Sequence, residues 1–129
     1  MNEHPDLVTP QTVVLAEDDA LVAEDLVHEL ERNGLTVLAR ARTADETVAA
    51  VRTHRPDLVL LDVRLAGGSS GIEAAERLAP EGRRCVFFSG ALDAATRERL
   101  HALDPIAVLS KPLLTSQLLD ALSASRRSA

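Results

Sequence analysis

The chain has 129 residues, 46% of them hydrophobic, with a formal net charge of -6 and a pI near 5.1. That is about one domain with a core of its own, and an acidic chain without a clustered Lys/Arg face is not built to contact nucleic acid directly. Apolar runs of about four residues fall far short of the roughly 20 a membrane helix needs, and the start Met1-Asn2-Glu3-His4-Pro5 carries neither the basic nor the apolar region of a signal peptide.

Residues 1–11 are polar and contain Pro5 and Pro10, so they read as a flexible tail, with structure from Thr12. Val13-Val14-Leu15-Ala16 is a short apolar run that ends in three acids, Glu17, Asp18 and Asp19. Leu21, Val22, Leu26, Val27 and Leu30 then recur at helical spacing until Asn33-Gly34 stops the helix. Leu35 to Ala41 alternates, with Leu35, Val37 and Ala39 on one side, as in a half-covered edge strand. Thr43 and Glu46 form a capping box for a helix that turns Val48 and Val51 inward and ends before Pro56.

Leu58-Val59-Leu60-Leu61 lies between that proline and Gly67-Gly68, which marks a fully buried central strand with Asp62 at its end. A glycine-rich loop follows, then a helix from Gly71 carrying Ile72, Ala75, Leu78 and Ala79, stopped by Pro80 and Gly82. Arg84 to Phe88 is a fourth strand ending at Ser89-Gly90, and Asp93 to Leu103 a helix with Arg97, Glu98 and Arg99 in solvent. Pro105 to Leu109 is a fifth strand ending at Ser110-Lys111-Pro112. A last helix runs from about Thr115 to Ser123 and residues 126–129 form a fraying tail. The domain is therefore expected over 12–125.

Five strands alternating with five helices call for a parallel sheet with helices on both faces. Ligands in such sheets sit at the carboxyl ends of the strands, where Glu17, Asp18, Asp62, Ser89 and Lys111 all lie. Singly these are ordinary: acids cap helices, a strand-end Asp is often a loop acid, a lysine is usually solvated. Four independent loops delivering complementary groups to one cleft are better explained by function. Clustered carboxylates 4 Å apart repel by about 1 to 4 kcal/mol per pair, so they need cations. Lys111 is one, and an all-oxygen donor set suits Mg²⁺, or Mn²⁺, as another. The four histidines, His4, His28, His54 and His101, lie in the tail or on helices and make no zinc set. The single Cys85 precedes Val86-Phe87-Phe88 and reads as a buried, inert thiol in a reducing cytosol.

The motifs Val-Leu-Ala-Glu-Asp-Asp19, Pro-Asp-Leu-Val-Leu-Leu-Asp62, Phe-Phe-Ser-Gly90 and Leu-Ser-Lys-Pro112, in this order and spacing, resemble the receiver domains of two-component response regulators, from Val13 to about Ser123. The resemblance implies a flavodoxin-like (βα)5 fold, doubly wound, with strand order 2-1-3-4-5. It implies that Asp62 accepts a phosphoryl group from a phosphohistidine on a sensor histidine kinase or phosphotransfer protein. Asp18 would bind Mg²⁺ directly, Glu17 through water, and Arg64 through its backbone carbonyl, while Ser89 and Lys111 would receive phosphoryl oxygens and Gly90 leave room for them. Such a protein is a switch rather than an enzyme, cytoplasmic, signalling to a target protein through the face of the fourth helix, fifth strand and fifth helix, or through a phosphorylation-dependent homodimer.

Several positions depart from the family pattern. Val108 stands where an aromatic often swings inward on activation, Ala66 where proline is common, Leu113 where phenylalanine is frequent, and Gly71 falls one place later than in the shortest loops. Arg64 and Ala91 occupy positions that tune the loss of the phosphate in the family. The chain stops one helix after Lys111, as a stand-alone receiver or one cut from a longer protein would. A haloacid-dehalogenase-type phosphatase would need a second Asp where Arg64 stands, and a mononucleotide binder a glycine loop after the first strand. A phosphorylation-independent pseudo-receiver that only binds partners is the remaining alternative.

Overall fold

Each apolar run becomes a strand and each amphipathic stretch a helix in the computed structural model, which describes residues 11–128, the side chains of 125–128 excepted. The order is β1 (Gln11–Ala16), α1 (Ala20–Arg32), β2 (Leu35–Ala41), α2 (Ala44–His54), β3 (Leu58–Asp62), α3 (Gly71–Leu78), β4 (Cys85–Ser89), α4 (Ala94–Ala102), β5 (Ala107–Ser110) and α5 (Thr115–Ser128). Short 3-10 turns at Ala66–Gly68 and Ala79–Glu81 flank α3. All the strands pair in parallel in the order β2-β1-β3-β4-β5, as expected. The expected tail at 1–11 lies outside the described residues, except that Gln11 already belongs to β1, and α5 continues to Ser128, past the Ser123 that its apolar spacing suggests.

Strand alternation splits the core in two. Val13, Leu15, Leu58, Leu60, Val86 and Phe88 face α1 and α5, meeting Leu26, Leu30, Leu118 and Leu122. Val14, Val59, Leu61 and Phe87 face α2, α3 and α4, meeting Val48, Val51, Ile72, Leu78 and Leu100. Phe87 and Phe88, both fully buried, are the largest side chains of the two layers. Each large apolar side chain so buried contributes roughly 1.5–3 kcal/mol against the entropy of ordering the chain.

The edge strand departs from its simple alternation. Val13 pairs with Val37 but Val14 with Ala39, so Leu38 is bulged out of register. An extra residue exchanges the faces of everything after it. Leu35 and Val37 therefore pack with α1, whereas Ala39 packs on the opposite layer. In α1, Ala23, Leu26 and Leu30 turn inward, while Leu21 is 75% exposed and Val22 is exposed as well. Ala79 is likewise exposed, and Arg99, exposed as expected, also hydrogen-bonds Glu76 of α3 at 3.0 Å on the surface.

Cys85 is buried in β4, and burial pushes its thiol up to about 11. At pH 8 only about one thiol in a thousand is ionised at that value, against roughly a quarter of free cysteines. Reaction with an aromatic disulfide reagent at pH 8 is expected to run on the order of a hundredfold slower in the native protein than after unfolding in guanidinium. Equal rates would contradict the buried, protonated thiol.

Candidate functional site

β1, β3 and β5 each hand a charged residue to the same edge of the sheet. Past the end of β1, Glu17 stays on the ladder through its N–H to the Ala41 carbonyl (2.9 Å), which leaves its side chain beneath the mouth of the sheet. Its Oε2 accepts the Asp19 N–H at 2.9 Å, and Asp19 in turn caps α1 by accepting from Leu21 and Val22. Asp62 closes β3 opposite Phe88, with Oδ1 accepting the Arg64 N–H at 3.1 Å. Lys111 is fixed beside them because its N–H continues the β4–β5 ladder onto the Ser89 carbonyl (2.8 Å). The Lys111–Pro112 peptide is cis.

The side chains converge. Carboxylate oxygens of Glu17, Asp18 and Asp62 all lie within 4.8 Å of one another. Lys111 Nζ donates to Asp62 Oδ2 at 2.6 Å and stands 3.7 Å from Glu17 Oε1, with the Phe88 ring centroid 5.6 Å away. Glu17 and Asp62 are each only 3% exposed and Asp18 is half-buried. Burial, first, raises the Glu17 carboxyl to about 7, helped by the neighbouring Asp62 carboxylate, against the Asp19 amide and the Lys111 charge. Burial opposes the charge on Lys111, yet Asp62, Glu17 and Asp18 together raise its pKa. One ammonium thus pairs with two of the acids and feels the field of the third.

A hard divalent cation fits what remains. Glu17 Oε1 is buried and has no hydrogen-bond partner, a costly state for a carboxylate oxygen. At 4.8 Å, two carboxylates repel by up to about 3.5 kcal/mol at an effective dielectric of 20. Oxygen donors in this number and charge suit Mg²⁺. Glu17, Asp18 and Asp62 are therefore the side chains that would hold it.

The other expected residues take less central places. Ser89 is buried at the adjacent strand end, but its hydroxyl donates to the Ala91 carbonyl at 3.2 Å rather than to the acids. Gly90 is exposed and a side chain there would meet nothing within 4 Å. The Arg64 side chain is exposed. Val108 is half-buried on β5, paired with Phe87 and packed on the layer of α2, α3 and α4.

With this geometry in view, the family assignment is direct: the model of the response regulator receiver domain matches residues 13–123. The chain belongs to that family. The transcriptional regulatory protein PdtaR of Mycobacterium tuberculosis is 31% identical over 118 residues, covering 91% of this chain and 57% of PdtaR. The phyllosphere-induced regulator PhyR of Methylorubrum extorquens is 42% identical over 67 residues, which cover 51% of this chain and 25% of PhyR. Among solved structures, the signal receiver domain of a modulated diguanylate cyclase from Desulfovibrio desulfuricans superposes with a TM-score of 0.81 at 30% identity, covering 88% of this chain and 91% of that one. The chain thus spans about half or less of these curated relatives.

One residue that holds the receiver site escapes a reading of the sequence for chemistry. At Gly71, which opens α3, a Cβ would collide with the backbone carbonyl oxygen of Asp62 and lie 3.1 Å from the Cβ of Leu61. The collision is with backbone, which cannot rotate away. Gly71→Ala is expected to destabilise the receiver by about 1–3 kcal/mol, whereas Gly90→Ala, facing open space, should change little. Urea unfolding of both variants is the check, and an unchanged midpoint for Gly71→Ala would contradict the close approach.

Proposed function

We propose that the protein is a phosphorylation-dependent switch of a two-component relay, with Asp62 as phosphoacceptor. The observation that carries this is Lys111 Nζ at 2.6 Å from a buried Asp62 that shares its pocket with Glu17 and Asp18. An Asp62 oxygen attacks the phosphorus of a phosphohistidine on a sensor histidine kinase or phosphotransfer protein. The P–N bond breaks with its electron pair leaving on the imidazole, and an aspartyl phosphate results. Mg²⁺, or Mn²⁺, held by Asp18, Asp62 and the Arg64 carbonyl, with Glu17 acting through water, would neutralise phosphoryl oxygens. Lys111 neutralises another, and Ser89 exchanges its bond to the Ala91 carbonyl for one to the phosphoryl group. This is catalysis by positioning and charge neutralisation. The protein assists its own phosphorylation and dephosphorylation but turns over no substrate.

The donor has a place to rest. A groove of about 530 Å³ beside Lys111 is lined by Val22, Leu26, Phe88, Pro112 and Leu113, with Asp25 and Glu29 on its polar side. Close to two added negative charges then draw Ser89 and the following loop inward and bias the face formed by α4, β5 and α5, where the downstream protein would bind. With Val108 in place of an aromatic, this movement relies on the Ser89 loop alone. The place of action is the cytoplasm, where such kinases present their phosphohistidine.

Intact mass after incubation with acetyl phosphate and Mg²⁺ tests the reading. One added phosphoryl group, absent when EDTA is included, is the expected result. No gain, together with no binding of beryllium fluoride, would leave only a constitutive interaction module.

A further inference from the structure

The loop between Asp62 and α3 is held by a neighbour that family chemistry does not use. Gly67 and Gly68, at φ 69° and 74°, take left-handed conformations that reverse the chain. This brings Ser69 back against the start of α2. Its hydroxyl donates to the Ala66 carbonyl (2.7 Å) and accepts the N–H of Ala44, the first residue of α2, at 3.1 Å. Ala66 is tied to the same place, since its N–H donates to the Arg42 carbonyl at 2.9 Å. The loop is thereby fastened to a helix end 25 residues earlier in the chain.

The fastening reaches Arg64 through one peptide plane. The Ser69 carbonyl accepts the Leu65 N–H at 3.1 Å. That N–H and the Arg64 carbonyl belong to the same planar, trans unit, so they point in opposite directions. Fixing one fixes the other. On its other side, Arg64 is held by its own N–H to Asp62 Oδ1.

We propose that Ser69 is a positioning residue: anchored by the Ala44 N–H and the Ala66 carbonyl, it sets the direction of the Arg64 carbonyl and so the affinity of the acidic pocket for its divalent cation. The inference rests on the receiver reading of that pocket.

The test is Mg²⁺ titration by calorimetry on the wild type, Ser69→Ala and Ser69→Thr, with hydrogen exchange of the Ala44 amide measured in EDTA. Ser69→Ala is expected to bind Mg²⁺ roughly tenfold more weakly, the scale of lost outer-shell support, and to exchange Ala44 faster. Ser69→Thr should restore both, since the backbone at φ -85°, ψ 173° is extended and accepts a β-branched residue. A purely structural serine would lower the melting temperature in EDTA without moving Mg²⁺ affinity, and that result overturns the proposal. So does unchanged exchange at Ala44. A wild type that binds no Mg²⁺ sinks the receiver reading and this inference together, whereas equal binding by wild type and Ser69→Ala sinks the inference alone.

Discussion

Asp62→Asn is expected to take up no phosphoryl group under conditions in which the parent gains one. The geometry makes Asp62 the only one of the three acids fit to react. Glu17 is held by the Asp19 amide on one oxygen, and burial raises its carboxyl, which disfavours the charged form that would have to attack. Asp18 makes no ion pair with Lys111, whereas Asp62 does so at 2.6 Å. Asparagine keeps the shape, and its oxygen can still accept the Arg64 N–H, so the variant should fold. Intact mass with and without acetyl phosphate reads the result. A persisting gain would move the acceptor to Asp18 or Glu17, which peptide mapping of the acyl phosphate would then locate.

Much of this arrangement was legible in the sequence because it depends on local rules. Four apolar residues closed by a charged or hydroxyl residue mark the end of every strand but the alternating β2, and parallel order brings those ends to one edge. The caps are local too: Asp19 bonds Leu21 and Val22, and Thr43 bonds Glu46, though Glu46 reaches back to the Arg42 N–H rather than to its own cap. What the sequence hid depends on contacts between distant segments. The bulge at Leu38 exists only in the pairing of β2 with β1, and it alone decides which layer Ala39 joins. Leu21 and Val22 fit the helical period but lie at the amino end of α1, where Ala23 and Leu26 already fill the inward face. Ser69 reads as a loop residue and Gly71 only as a helix start, because their partners, the Ala44 N–H and the Asp62 carbonyl, are neighbours only in three dimensions. The unusual density of small residues in Gly67-Gly68-Ser69-Ser70-Gly71 was the available signal.

Lys111→Met is expected to slow phosphorylation by acetyl phosphate by about 10²–10³-fold, the usual consequence of removing one preorganised charge from a developing oxyanion. Methionine retains an unbranched stem over Phe88, so the loss isolates the ammonium. Its effect on the unphosphorylated protein runs in two directions. Without metal, Asp62 and Glu17 lose their shared counter-charge while remaining buried, and stability should fall. The full cost of breaking a buried pair is about 3–5 kcal/mol, but Lys111 is 36% exposed and water screens it, so about 1–2 kcal/mol is the expected loss. With metal, the opposite holds, because a competing cation has left the same carboxylates, and Mg²⁺ should bind as tightly as in the parent or tighter. Slower phosphorylation combined with undiminished Mg²⁺ affinity is therefore the signature of a charge that acts on the phosphoryl group. A parallel fall in both would mean that Lys111 merely holds the pocket in shape, and the neutralising role would pass to the cation alone.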